Sequence, residues 1–226
     1  MSSRKYIQNQ LLNHLPDKRF SILIGARQTG KTTVLKQLVT QLSKTYKTVF
    51  YLSFEDPAIL NHVNNHPDNI FDYAIHPSDL QKNQRLFLFI DEIQYLQDPT
   101  NFLKLIFDKY DAKVKIIATG SSAFYINRDF KDSLAGRKKI FELYPLDFSE
   151  FLHFKGEDNL IDEYKKMQNK KSFNSLHIAQ LKSLFTEFIN YGGYPAVILE
   201  KNIHGKIDLF SIDRLLYYFA KVKSTR

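Results

Sequence analysis

Residues Gly25 to Thr32 read Gly25-Ala26-Arg27-Gln28-Thr29-Gly30-Lys31-Thr32, a complete G-x-x-x-x-G-K-[ST] sequence. Such a loop works only between a strand that ends at its first glycine and a helix that starts near its lysine. The glycines let the chain curl so that successive backbone N–H groups, and the N-terminus of the next helix, converge on phosphate oxygens. The flanks read accordingly. Phe20-Ser21-Ile22-Leu23-Ile24 is a short apolar run of the kind a buried parallel strand needs, and Val34, Leu35, Leu38, Val39 and Leu42 fall on one helical stripe. Lys31 is spaced to reach the β- and γ-phosphates of a nucleoside triphosphate, and Thr32 offers a hydroxyl to the Mg²⁺ that bridges them.

A phosphate loop needs a partner acid, expected on an adjacent strand. Arg85-Leu86-Phe87-Leu88-Phe89-Ile90-Asp91-Glu92 supplies it: five apolar residues make a strand buried on both faces, and two carboxylates follow at its C-terminal end, where open α/β sheets bind ligands. Asp91 is the natural partner for Mg²⁺, and Glu92 the natural activator of water. A further strand, Val114 to Thr119, runs into Gly120-Ser121-Ser122. Thr119 or Ser121 then senses the γ-phosphate, or these hydroxyls cap the helix that follows; the residues alone leave both open. Leu134-Ala135-Gly136-Arg137 precedes the strand Lys138 to Leu143, and Arg137 reads either as an arginine finger, within one chain or across subunits, or as half of a surface ion pair.

At 226 residues the chain is long enough for a sheet core and an appended smaller piece. It has no cysteine, which excludes a disulfide framework and thiolate metal sites. His62 and His66 lie in an Asn-rich stretch ending at Pro67, expected as a solvated loop rather than a zinc site. No signal-peptide pattern opens the chain and no run approaches roughly eighteen apolar residues, so no membrane partner and a cytoplasmic location are expected. The net charge of +8 is scattered, denser only at Lys165 to Lys171 and Lys221 to Arg226, which keeps nucleic-acid contact as a secondary expectation.

Helix and strand alternate from an N-terminal helix (Tyr6 to Leu15) through a second strand (Thr48 to Phe54) and a striped helix (Phe102 to Tyr110) up to Leu143. This predicts a doubly wound parallel α/β sheet of about five strands, a P-loop nucleotide-binding core over residues 1–145. After Pro145 the pattern becomes helical: Asp147 with Glu150 predicts a helix cap, Gly156 a stop, and Ile178 to Ile189 and Leu209 to Phe219 two more striped segments. Residues 146–226 are therefore expected to form a helical lid.

These motifs carry a resemblance to the bacterial and archaeal AAA-type ATPases of the STAND branch, P-loop proteins with an additional strand between loop and acidic strand. It covers nearly the whole chain through Gly25 to Thr33, Phe89-Ile90-Asp91-Glu92-Ile93-Gln94, Thr119-Gly120-Ser121-Ser122, Leu134-Ala135-Gly136-Arg137, Glu142-Leu143-Tyr144-Pro145-Leu146 and Tyr191-Gly192-Gly193-Tyr194-Pro195. The resemblance implies ATP in preference to GTP. It also implies a phosphate-sensing or finger role for Arg137, and a Gly-x-Pro element at Gly193 and Pro195 that brings the lid onto the nucleotide. By residue chemistry alone that last segment is a turn. Ala26 stands where such proteins usually have proline, at a position that contributes backbone. Proteins of this kind continue into a further C-terminal domain, whereas this chain stops at Arg226, so it is expected to be truncated or to act with a partner.

The expected activity is Mg²⁺-dependent ATP hydrolysis that moves the lid, with ATP and ADP as ligands and self-association or a partner protein at the output. Two rivals stand beside it: a nucleotide-dependent binding switch with little turnover, and a small-molecule phosphotransferase.

Overall fold

The computed structural model describes residues 3–121, 134–169, 176–202 and 204–206. Among them, five strands form one parallel sheet: β1 (Phe20–Gly25), β2 (Val49–Ser53), β3 (Leu86–Asp91), β4 (Val114–Ser121) and β5 (Lys138–Glu142). The expected doubly wound sheet is present, in the order β2-β3-β4-β1-β5. The acid expected on a strand adjacent to the loop strand is instead one strand removed, and the additional strand that the resemblance implies is present: β4 lies between β1 and β3, with Leu23 registered on Thr119 and Ile90 on Ala118. Hydrophobic periodicity identifies strands but carries no information on their order.

The strand sequences read as continuous apolar runs because both faces are covered. On β3, Leu86, Leu88 and Ile90 join one apolar cluster with Phe20, Ile22, Ile24 and Ile116, while Phe87 and Phe89 join the other with Leu23 and Ile117. Helix α4 (Pro99–Tyr110) packs Phe102, Leu103 and Ile106 into the first cluster. Helices α1 (Ser3–Asn13) and α2 (Lys31–Leu42) contribute Ile7, Leu11, Val34, Leu35 and Leu38 to the second. Helix α3 (Pro57–Asn65), capped by Asp56 and opened by Pro57, holds His62 in the stretch expected as a loop. His62 pairs with Asp72 at 2.7 Å, and His66 caps the 3₁₀ turn Pro67–Tyr73. Asp56 before Pro57 is a helix-start pattern, and it prevails there over the loop-forming composition of the stretch. Among the described residues, no group of three or more His, Cys, Asp or Glu is arranged to hold a metal ion, and no helix is long and apolar enough to cross a membrane.

The chain divides into two compact units: Tyr6–Gly25 with Gly30–Leu143, and Met1–Lys5 with Ala26–Thr29 and Tyr144–Arg226. The second contains α5 (Phe148–Phe154), α6 (Asp158–Asn169), α7 (Ile178–Tyr191) and α8 (Pro195–Leu199). The capping box expected at Asp147 and Glu150 opens α5: the Glu150 N–H donates to Asp147 Oδ1 at 2.8 Å, and the Asp147 N–H donates to Glu150 Oε2 at 3.3 Å. Leu146, Phe148, Phe151, Leu152, Leu160, Leu181 and Ile198 form this unit's own apolar core. The striped segment Leu209 to Phe219 lies outside the described residues.

A buried lysine fixes how the chain enters β1. Lys115, on β4 and without solvent exposure, donates to the carbonyls of His14 (2.8 Å), Asp17 (3.0 Å) and Arg19. Arg85 donates to the carbonyls of Leu15 (2.6 Å) and Asp17 (3.2 Å). Together they satisfy a run of carbonyls that could not otherwise be buried. Burial first, and then the Arg85 charge, pushes the Lys115 ammonium down to about 7. His14, whose Nδ1 lies 2.8 Å from Ser21 Oγ, is pushed down to about 4, by burial first and then by Lys115.

The charged form of His14 is thus disfavoured in the folded chain, which binds fewer protons than the unfolded chain between its ordinary pKa of about 6.5 and about 4. Stability present above that window is lost as pH falls through it. Urea midpoints are expected to drop between pH 6.5 and 5, and His14→Asn, which keeps a polar partner for Ser21 without a titratable ring, is expected to flatten the drop.

Candidate functional site

The loop Gly25 to Thr32 leaves β1 and enters α2 as the sequence requires. Gly30 is the helix N-cap at φ 93°, ψ 21°, a left-handed conformation that glycine adopts without strain, and no side chain caps the helix there. The first-turn N–H groups and the positive end of the helix dipole are therefore presented as a unit for an anion. Lys31 is 5% exposed and its ammonium donates to the Gly25 carbonyl at 3.1 Å, so its side chain arches over the loop that it closes. Gln28 sits at φ 59°, one of two described non-glycine residues with positive φ. Arg27 and Gln28 are exposed, Thr29 is buried, and the Thr29 hydroxyl donates to the Ala26 carbonyl at 2.9 Å, bracing the turn from within. Thr32 is half-buried and Thr33 exposed on α2.

At the same edge of the sheet, β3 ends in Asp91, which is 1% exposed. Both of its carboxylate oxygens are engaged: Thr119 on β4 donates its hydroxyl to Oδ1, and Tyr51 on β2 donates to Oδ2 at 3.1 Å. Burial, and next the Asp91 charge, raises the Tyr51 hydroxyl well above its ordinary value, so it remains a donor at any physiological pH. Thr119 does a second thing. Its oxygen accepts the backbone N–H of Glu92 at 2.9 Å, so one hydroxyl sets both the Asp91 side chain and the Glu92 main chain. Glu92 is the second non-glycine residue with positive φ, at φ 58° and ψ 53°. Its carboxylate accepts from the Gln94 side-chain amide, whose oxygen accepts in turn from the Ser121 N–H at 3.4 Å.

Lys31, Asp91, Glu92, Thr119 and Ser121 are thus gathered at the C-terminal ends of β1, β3 and β4, the crevice expected of an open parallel sheet. The Thr119 hydroxyl serves the two acids, and the helix that the capping alternative requires lies outside the described residues. Arg137 is not gathered with them. Its carbonyl accepts from the Phe20 N–H at 2.8 Å, at the N-terminal ends of β1 and β5, one strand length or about 20 Å from the loop. There its guanidinium makes a two-pronged ion pair with Asp108 (2.8 and 3.0 Å) and lies over the Phe107 ring. Gly193 and Pro195 belong to the helical unit. A Cβ on Gly193 would lie 2.1 Å from the Leu146 carbonyl oxygen, and the Leu146 N–H donates to the Gly193 carbonyl at 2.6 Å, so glycine is required for close backbone approach. Pro195 is the first residue of α8.

Tyr51 and Gln94 were missed by reading residues in order. Gln94 stands two residues beyond Glu92 in the quoted motif and carried a signal; Tyr51 becomes relevant only once β2 is registered on β3, with Ser53 opposite Asp91.

Residues 17–152, more than half of the chain, match the AAA_14 family, described as an AAA domain. The chain belongs to this family. An uncharacterized protein of Methanocaldococcus jannaschii is 28% identical over 216 residues, covering 94% of this chain and 44% of the relative; one of Haemophilus influenzae is 27% identical over 205 residues, covering 88% and 45%. The chain therefore spans less than half the length of these relatives. Among solved structures, the Aeropyrum pernix ORC1 protein in complex with DNA is similar in fold, with a TM-score of 0.51 at 14% identity over 95% of this chain and 72% of that one.

As an AAA domain with this loop, the chain has a donor set that fits a nucleotide phosphate and a hard cation: loop amides, one ammonium, one hydroxyl and one carboxylate. The backbone of Glu92 holds a conformation that costs a non-glycine residue about 1 kcal/mol. Glu92→Gly is accordingly expected to hold or raise the unfolding free energy measured in urea, by up to about 1 kcal/mol, while removing the side chain on which turnover is proposed to depend.

Proposed function

We propose that the chain binds ATP in the Gly25 to Thr33 loop and hydrolyses it with Glu92 as the base, and that the helical residues 146–226 act as a lid on the 1–145 core, shifting with the state of the nucleotide. The observation that carries this reading is the convergence of Asp91, Glu92 and Thr119 beside Lys31 at one sheet edge. Paired acids serve water activation and have no function in a bare glycine turn. ATP over GTP, the STAND branch and the roles of Gly193 and Pro195 toward the nucleotide rest on the family resemblance alone.

Lys31 and the loop amides offset the negative charge that develops on the transferred phosphoryl group, at positions fixed before substrate arrives. Thr32 and Asp91 are the residues that would hold Mg²⁺, which when bound neutralises phosphate charge. Glu92 accepts a proton from the attacking water, and Thr119, by gripping its N–H, fixes where that carboxylate starts. Arg137 serves a neighbouring subunit's nucleotide rather than its own, since it lies at the far edge of its own sheet. That makes self-association part of the activity.

A second reading, a nucleotide-dependent switch with little turnover, is favoured by one contact: Gln94 occupies a Glu92 oxygen that an attacking water would use. Gln94→Ala separates the two, speeding hydrolysis by several-fold if that contact restrains the base.

The deciding measurement is Mg²⁺-dependent phosphate release from ATP across a range of protein concentrations. Glu92→Gln is expected to lower turnover by about 10²-fold or more with nucleotide affinity retained, and Lys31→Ala to lose affinity. Glu92→Gln that turns over at the wild-type rate would sink the assignment of the base. The rate per subunit should rise with concentration and lose that rise in Arg137→Ala; a rate independent of dilution rules out the cross-subunit role.

Removing either hydroxyl donor to Asp91 should act through the cation. Tyr51→Phe and Thr119→Val are expected to raise the Mg²⁺ concentration needed for half-maximal activity by about 10-fold, the usual scale for residues that orient a ligand, with Thr119→Val the more damaging because it also frees the Glu92 main chain.

A further inference from the structure

Arg4 makes a set of contacts that no part of the proposed chemistry uses. Its side chain is 12% exposed, and Glu150, its partner, is 2% exposed. The Arg4 N–H donates to Glu150 Oε1 at 3.0 Å, its Nη1 donates to Oε2 at 3.2 Å, and its Nη2 donates to the Thr29 carbonyl at 2.7 Å. One guanidinium therefore joins a peptide of the phosphate loop to the residue whose carboxylate also accepts the Asp147 N–H in the capping box of α5.

Such a buried pair is a poor device for stability alone, because desolvation cancels most of the attraction and an apolar pair of similar volume would serve as well. What a planar fork adds is direction, since its donors meet two acceptors at a fixed angle. The direction matters at Thr29. In a trans peptide the carbonyl and the following N–H point opposite ways, so holding the Thr29 oxygen toward Arg4 turns the Gly30 N–H away from it. Gly30 caps α2, and its N–H is among the loop amides offered to phosphate.

We propose that Arg4 is a positioning residue for nucleotide binding: it sets the Thr29–Gly30 peptide of the phosphate loop and couples that setting to Glu150 at the start of α5. The inference rests on the nucleotide-binding reading above and adds a tie, within one compact unit, between the Thr29 peptide and Glu150. Coupling of this kind is reciprocal, so whatever bound phosphate gains from the set peptide is returned as a tighter hold on Glu150.

The test is ADP affinity by titration calorimetry on the full chain, with folding checked by circular dichroism and urea midpoints. Arg4→Ala is expected to weaken ADP binding about 10-fold while remaining folded. Arg4→Lys keeps the charge but not the fork and is expected to stay weakened. Glu150→Gln touches no loop residue and preserves the capping pattern, in which Gln is acceptable; it is expected to weaken ADP several-fold, and the double substitution to be no weaker than Arg4→Ala alone. A merely structural staple would lower the urea midpoint and leave ADP affinity unchanged. Should Arg4→Ala fail to fold, Glu150→Gln carries the same comparison. If Lys31→Ala abolishes ADP binding while folded Arg4→Ala and Glu150→Gln bind within two-fold of the wild type, this inference is overturned and the nucleotide site stands. A wild-type chain that binds no ADP overturns both.

Discussion

One hydroxyl holds the acidic end of the sheet together. Thr119 donates to Asp91 and accepts from the Glu92 N–H, so the side chain of one acid and the main chain of the next are tied to a single point on β4. That tie is only as firm as the pairing of β3 with β4, which continues through Leu86 and Val114 to the opposite end of the sheet and is buried on both faces. Burial at roughly 1.5–3 kcal/mol for each large apolar side chain supplies the rigidity. The polar contacts supply direction, which apolar packing cannot. The insertion of β4 between β1 and β3 is what makes this possible: an acidic strand lying directly beside the loop strand would have had no intervening residue from which to hang both acids.

The same core supports local strain. Among the described residues, the two non-glycine positions with positive φ are Gln28 and Glu92, one in the phosphate loop and one at the proposed base. Conformations of this kind persist only where surrounding structure overdetermines them. At Glu92 the overdetermination can be named: the N–H is held by Thr119, the carboxylate by Gln94, and Ile93 is fully buried immediately after it. The main chain of Glu92 is thereby fixed in place, while its carboxylate is held by a contact that the side chain can give up.

Much of this was legible in the sequence, and the legible parts share a property. The loop, the five strands, the stripe of α2 and the Asp147–Glu150 cap are all local patterns, specified within a dozen residues or fewer. What escaped depends on which strand lies beside which. The reach of Tyr51 to Asp91 is a consequence of strand order, which alternation does not encode; the insertion of β4 came through the resemblance alone, and the place of Arg137 follows from its preceding a strand parallel to β1. Arg4 escaped for a related reason: a single arginine near the N-terminus has no motif around it, and its meaning comes from Thr29 and Glu150, separated from it by 25 and 146 positions. The solvated-loop expectation for the His62 segment fails for a different reason: it rests on composition, whereas Asp56 and Pro57 start a helix there.

The placement of Arg137 also constrains any assembly. Its guanidinium and the phosphate loop sit at opposite edges of one parallel sheet, and no rearrangement short of unfolding the strands brings them together in a single copy. If Arg137 answers to a nucleotide, a second copy must present the other edge. The two-pronged pair with Asp108 then becomes the arrangement from which Arg137 departs, and because that pair is exposed, releasing it costs little. Head-to-tail contact between unlike edges leaves an unfilled site at one end unless the assembly closes into a ring, whereas a two-fold dimer must satisfy both sites within one interface.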